Sequence, residues 1–311
     1  MPLIPALFAA ALAQAPPPLV GGRPADAPAS VGALYAEVDG SRVSFCTASL
    51  VADDLLLTAG HCLPVLAEAR DQGLAVGVAF GERLSEPEGL LLGRLGEGRA
   101  HPQWNEDTLE HDLALIELID EVAVEPLPLF AGDAETAVGQ SPALTFVGWG
   151  TTGDLRRDGG VRRSVTLPVE GLSELFVYTF DAAQGHNLCS GDSGGPGLVE
   201  EDGQLYLVAV ASLVFADRPG GYACAGGHGR SARIDVDQRW ITDAIDPLNA
   251  GGALFDGAGP ATAADGGFTD GAAGCQTLPL DENSPGQALV GLIGLMTLRR
   301  RLSGAPPPTR S

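Results

Sequence analysis

From Val31 to Leu213 the chain consists of short apolar runs broken by glycine, proline and aspartate. Runs at 34–38, 55–57, 76–80, 113–118, 144–149 and 205–213 have the length and the bounding residues of β-strands. Val165, Leu167 and Val169 recur at every second position, as do Phe176, Tyr178 and Phe180, which is the period of a strand with two unlike faces. Only near the end does the period change. Val236, Trp240, Ile241 and Ile245 fall at helical spacing, and Pro247 should stop the helix they predict. The expectation is an all-β body closed by one C-terminal α-helix.

The two ends break this pattern. Residues 1–13 are almost wholly apolar and lead into Pro16, Pro17 and Pro18. Ala11-Leu12-Ala13 fits a small-x-small cleavage site, so 1–13 reads as a signal peptide and 14–18 as a short pro-segment. A cut after Ala15 would place Pro16 at the scissile bond, which favours the cut after Ala13. From 248 to 274 glycine, alanine and aspartate dominate without a period, the composition of a flexible linker.

Composition adds three constraints. At 311 residues the chain has room for about two domains. A formal net charge of −22 disfavours binding to nucleic acid or to an anionic membrane surface and points to a well-hydrated exterior. Five cysteines behind an export signal suggest disulfides with one thiol left over; zinc is the alternative, but CxxC-type spacings are absent.

The candidate chemistry centres on Gly191-Asp192-Ser193-Gly194-Gly195-Pro196. A serine hydroxyl needs an adjacent base and donors for the developing oxyanion before it acts as a nucleophile. Glycines on both sides of Ser193 let the backbone turn so that the Gly191 and Ser193 amides point together. Upstream, Thr58-Ala59-Gly60-His61-Cys62 offers a base and His111-Asp112-Leu113-Ala114-Leu115-Ile116 a carboxylate. The three motifs, in this order, resemble those of the trypsin-like (chymotrypsin-fold) serine proteases. Gly191-Asp192-Ser193-Gly194-Gly195 also satisfies the elbow motif of α/β-hydrolases, with Asp217 and His228 as formal partners. That reading lacks the alternating helices and leaves the His61 and Asp112 motifs unexplained.

The trypsin-like resemblance covers residues 19–247 and implies two six-stranded antiparallel β-barrels with a catalytic cleft between them. It implies His61 as general base, Asp112 as its orienting carboxylate, Ser193 as nucleophile, and the Gly191 and Ser193 amides as oxyanion hole. Ser212 matches the hydroxyl that supports the triad aspartate. Leu19-Val20-Gly21-Gly22 resembles a mature N-terminus whose ammonium pairs with Asp192, although Pro18 stands where a basic residue is usual. Cys46 with Cys62, and Cys189 with Cys224, match family disulfides, and Gly148-Trp149-Gly150 matches a structural signature. Asn187, six residues before the nucleophile, falls at the base of the specificity pocket, with Val214 and Gly229 on its walls. An uncharged base and a valine wall imply small or medium uncharged side chains rather than Arg or Lys. No metal or organic cofactor is required. His101, His186 and His228 read as solvated loop residues, and His111 as a candidate for the cleft edge.

Residues 275–311 carry Cys275, an apolar run at 288–298 and Arg299-Arg300-Arg301. They resemble tripartite C-terminal sorting tails of the myxobacterial type, which implies sorting machinery as a partner, Cys275 as the processing point, and a membrane contact through the tail. The run is about half the roughly 20 residues that cross a bilayer core. The functional expectation is an exported serine endopeptidase acting on protein or peptide substrates, at the bacterial cell envelope or secreted. A catalytically silent binding module on the same fold is the alternative.

Overall fold

A computed structural model describes residues 27–246. The expected signal peptide, pro-segment, Leu19, linker, Cys275 and sorting tail lie outside these residues. Among these residues thirteen strands form two antiparallel sheets. In the first half these are β1 (Val31–Val38), β2 (Ser41–Ala52), β3 (Leu55–Thr58), β4 (Val76–Phe80), β5 (Leu91–Gly93), β6 (Leu95–Ala100) and β7 (Ala114–Leu118). In the second half they are β8 (Ala143–Gly148), β9 (Arg163–Leu172), β10 (Phe176–Phe180), β11 (Pro196–Glu201), β12 (Gln204–Phe215) and β13 (His228–Arg233). The helices are α1 (Cys62–Asp71), α2 (Ala134–Gln140) and α3 (Gln238–Ile245).

The second half is a closed six-stranded barrel in the order β10-β13-β12-β11-β8-β9. The first half departs from the expected six strands: it is a seven-stranded sheet in the order β5-β4-β1-β2-β3-β7-β6. Its two edge strands, β5 and β6, are separated in sequence only by Arg94. One bent segment therefore pairs with both edges, and the sheet curls on itself as a barrel does. Two Asp-Gly pairs set the tightest turns. Asp39 and Gly40 have φ of 50° and 75°, and Asp202 and Gly203 have φ of 53° and 81°. Such left-handed pairs match the twist of two-residue hairpins, here β1–β2 and β11–β12.

The principal core draws on both halves. Leu34, Leu50, Leu56 and Ile116 of the first sheet cluster with Leu198, Leu207 and Val210 of the second, and Ile241 of α3 is fully buried against them. Helix α3 thus closes the end of the body, as its spacing predicted. Trp149 is fully buried between the halves with Ala33, Tyr35, Ala79 and Leu84, and its indole donates to the Val31 carbonyl at 3.1 Å. Both disulfides implied by the resemblance are formed, Cys46–Cys62 and Cys189–Cys224. The first ties the start of α1 to β2 and so fixes the position of His61.

Cross-linking residues 16 apart restricts the unfolded chain. Replacing Cys46 and Cys62 together by serine should lower the unfolding free energy by roughly 3 kcal/mol in a urea titration.

Candidate active site

The site grows from Asp112, which is fully buried two residues before β7 begins. Burying a carboxylate requires donors, and three converge on it. The His61 amide donates to Oδ1 at 2.9 Å, the His61 ring bonds through Nδ1 to Oδ2 at 2.7 Å, and the Ser212 hydroxyl donates to Oδ2 at 2.6 Å. Burial pushes the Asp112 pKa up, but the His61 ring and the hydrogen bonds from His61 and Ser212 outweigh it and hold the pKa below the usual carboxylate value. An ionised Asp112 requires the proton on Nδ1 of His61, which leaves Nε2 as the basic nitrogen of the neutral ring. His61 caps α1 between β3 and that helix. Gly60 beside it lies so close to the Trp104 ring that a Cβ would approach to 3.0 Å.

The Ser193 segment is pressed against the same corner of the first sheet. Gly194 adopts φ +85°, and a Cβ there would stand 2.1 Å from Thr58 Oγ1 and 2.2 Å from the Thr47 carbonyl. Only glycine lets the segment lie this close. Thr47 N donates to the Ser193 carbonyl at 2.8 Å, and Cys62 Sγ lies 3.8 Å from that same oxygen, so Ser193 is placed beside the His61 turn. Gly191 also has positive φ, +97°, and its carbonyl accepts from Thr47 Oγ1 at 2.8 Å. The amides of Asp192, Gly194 and Gly195 donate to Cys189, Ala211 and Asp192 respectively. Those of Gly191 and Ser193 have no acceptor among the described residues. They are the two amides that the sequence assigned to an oxyanion.

Asp192 is buried, and it accepts from the Gly150 and Cys189 amides at 2.8 Å each. Burial pushes its pKa up to about 7, against the pull of those two bonds and of Arg163. The Gly148-Trp149-Gly150 signature is explained by this carboxyl group: a Cβ on Gly148 would fall 2.1 Å from Asp192 Oδ1. Further along, Asn187 is buried and donates through Nδ2 to the Ala223 carbonyl at 2.9 Å. Val214 stands opposite Gly229 in the β12–β13 register. Asn187, Val214 and Gly229 therefore meet at one end of the second barrel.

A sequence model of the trypsin family, described simply as trypsin, matches residues 19–241. The chain belongs to the trypsin family. Trypsin 5G1 of Aedes aegypti is 28% identical over 216 residues, spanning 64% of this chain and 74% of that protein. Trypsin of Phaedon cochleariae is 27% identical over 221 residues, spanning 64% of this chain and 78% of that protein. Transmembrane protease serine 9 of Rattus norvegicus is 33% identical over 217 residues, covering 63% of this chain but 19% of the much longer rat protein. This trypsin-family chain is thus a serine protease in its body, with two barrel-like sheets and a C-terminal helix.

The histidines need correction. His101 is buried rather than solvated: it lies 3.4 Å from Asp237, stacks on His111 and meets the edge of Trp240. Its pKa is lowered, chiefly by burial, with Asp237 opposing and His111 assisting. His228 is sandwiched between Phe180 and Phe215 and faces Glu170 and Asp217. His186 is half-buried against Asp181. His111 holds a left-handed φ of 50°, and its ring bonds Asp237 at 2.9 Å, tying the residue before Asp112 to the turn that starts α3. Asp237 and Thr47 are the supports that sequence reasoning missed. Neither belongs to a motif, and only three-dimensional proximity joins them to the site.

Asp112 contributes stability above its unfolded pKa of 3.8, and that contribution is lost as pH falls through its lower folded value. Ser212→Ala removes one of the bonds that depress the folded value. It should cost on the order of 2 kcal/mol at pH 7 and move the acid-unfolding midpoint, followed by near-UV circular dichroism, to higher pH.

Proposed function

We propose that the protein is an exported serine endopeptidase that cleaves peptide bonds through an acyl-enzyme on Ser193. The observation that carries this reading is the Ser212–Asp112–His61 chain of hydrogen bonds, lying beside the turn that presents Ser193. Ser193 Oγ attacks the substrate carbonyl while His61 Nε2 takes its proton. Asp112 stabilises the imidazolium that results. The tetrahedral oxyanion is received by the Gly191 and Ser193 amides. His61 then protonates the leaving amine, and water completes the cycle by the same steps in reverse.

Activation rests on the chain start at Leu19. The new ammonium would pair with Asp192 and relieve a buried carboxyl whose pKa stands near 7. Pro18 before the cut implies a processing enzyme that does not select basic residues. The peptidase domain is assigned to 19–247, following a signal peptide at 1–13 and a pro-segment at 14–18. The linker at 248–274 and the tail at 275–311, with Cys275 as the processing point, would engage sorting machinery and hold the enzyme at the cell envelope. An uncharged Asn187 at the pocket base disfavours Arg and Lys, and Val214 narrows the entrance.

Fluorophosphonate labelling tests the central claim. Labelling should occur on a chain whose mass begins at Leu19 and vanish in Ser193→Ala, whose kcat should fall by roughly a millionfold. Absence of labelling on the correctly cut chain would overturn the protease reading. The uncut chain has its own signature. Asp192 keeps a proton in the folded state that the unfolded chain releases above 3.8, so stability should fall as pH rises from about 4 to about 7. Cleavage before Leu19 should flatten that fall in urea titrations across the same range.

A further inference from the structure

The face of the second barrel that carries Gly229 holds more polar chemistry than the motif residues disclose. Thr179 stands directly opposite Gly229 in the β10–β13 register. Its side chain is turned to the glycine: a Cβ on Gly229 would lie 2.4 Å from Thr179 Oγ1 and 3.1 Å from Asn187 Oδ1. Two residues further along β13, on the same face by strand alternation, is Ser231. Thr179 is 1% exposed and Ser231 fully buried, and neither hydroxyl has a hydrogen-bond partner among the described residues. An unpaired buried hydroxyl carries a desolvation cost, so two on one face mark a place made for a partner.

The third polar atom has a fixed orientation. Asn187 donates Nδ2 to the Ala223 carbonyl, which turns its Oδ1 towards Gly229 and Thr179. The Ala223 segment is itself held, since the amides of Ala223, Cys224 and Ala225 all donate to the Asp154 carboxylate. Cys224 is bonded to Cys189, two residues beyond Asn187. The floor therefore offers a pre-set acceptor, Asn187 Oδ1, and two hydroxyls that donate or accept. None of the residues on this floor is charged, and the Asp154 carboxylate is already engaged by backbone amides.

We propose that this floor recognises a carboxamide, so that the enzyme cleaves after glutamine or asparagine. The inference rests on the serine-protease reading above and names its substrate class. A carboxamide has two N–H donors, one for Asn187 Oδ1 and one for a hydroxyl oxygen, and a carbonyl that accepts from the other hydroxyl. Arginine, lysine or an acid would bring a charge into a buried slot with no counter-charge. Methionine or leucine would fill the space and leave all three polar atoms unsatisfied. A site built to hydrogen-bond discriminates strongly against a similarly shaped apolar group, because its own polar atoms are then left unpaired.

The test uses the full chain cut to begin at Leu19 and two kinds of probe. A small fluorophosphonate without a side chain reports the triad alone. Peptides identical except for Gln, Asn, Met, Leu or Arg at the cleaved position report the floor. The expected result is a kcat/KM at least tenfold higher for Gln or Asn than for Met. Thr179→Val and Ser231→Ala should each lower that ratio severalfold, with fluorophosphonate labelling retained as the sign of a folded site. Asn187→Asp should move the preference towards Arg. Labelling with equal or better cleavage after Met, Leu or Arg would overturn the carboxamide inference and leave the protease reading intact. No labelling by the fluorophosphonate would overturn both. A Gln preference that survives all three substitutions would also overturn the assignment to this floor.

Discussion

A carboxylate with no exposure to water organises the centre of this molecule. Asp112 survives burial because His61 supplies two donors and Ser212 a third, and these come from separate parts of the chain. His61 stands at the junction of β3 and α1 in the first sheet, and Ser212 lies on β12 in the second. The two halves are therefore joined through one side chain as well as through the shared core. Removing any donor leaves a buried charge less than satisfied, so the arrangement that favours stability is the same one that fixes the tautomer of His61. The strained approach to Asp112 fits this picture. His111 keeps a left-handed backbone because its ring is pinned by Asp237, and strain of this kind persists only where the surroundings over-determine it.

The nucleophile turn depends on a second constraint, the absence of side chains. At Gly194 a methyl group would strike Thr58 and Thr47, and at Gly148 it would strike Asp192. These close approaches leave Ser193 beside the His61 turn and leave the Gly191 and Ser193 amides without acceptors among the described residues. Donors already satisfied by the protein would have to break bonds to receive an oxyanion. Free donors held by neighbouring hydrogen bonds need no such rearrangement.

Much of this was legible in the sequence. Strand β4 is found at the residues expected, β3 and β7 within one residue at one end, and α3 holds Trp240, Ile241 and Ile245 of the expected helical spacing, while Val236 lies exposed in the 3-10 turn before it. The motif residues around His61, Asp112 and Ser193 are brought to one corner. Other elements were missed for identifiable reasons. Strand β2 runs from Ser41 to Ala52 through Ser44, Thr47 and Ser49, whose hydroxyls interrupt the apolar run. Two of those hydroxyls serve the barrel contact and the site: Ser44 bonds Trp149, and Thr47 bonds Gly191. Helix α1 carries Pro64 in its first turn, where proline is tolerated but masks the pattern. The six-strand expectation for the first sheet failed because one bent segment is divided at Arg94 into two edge strands. Period two located β10 but not its faces. The inward residues are Val177 and Thr179, while Phe176 lies under the Arg230 guanidinium and Phe180 stacks on His228.

The acidity points to a hydrated surface, and no glutamate among the described residues is fully buried. The buried acids among the described residues are all aspartates: Asp112, Asp181, Asp192 and Asp237. Asp112, Asp181 and Asp192 lie outside the strands and helices, and Asp237 ends a single 3-10 turn just before α3. Asp112 and Asp237 hold histidines, Asp192 holds the Gly150 and Cys189 amides, and Asp181 holds the Ala183 and Gln184 amides together with His186. Loops that carry a site lack the ladder of a sheet, so their amides need acceptors from elsewhere. A short carboxylate reaches nearby amides while losing less rotamer freedom than glutamate would. Part of the negative charge of this chain is therefore internal scaffolding, and it is concentrated where strand hydrogen bonding stops and the candidate chemistry begins.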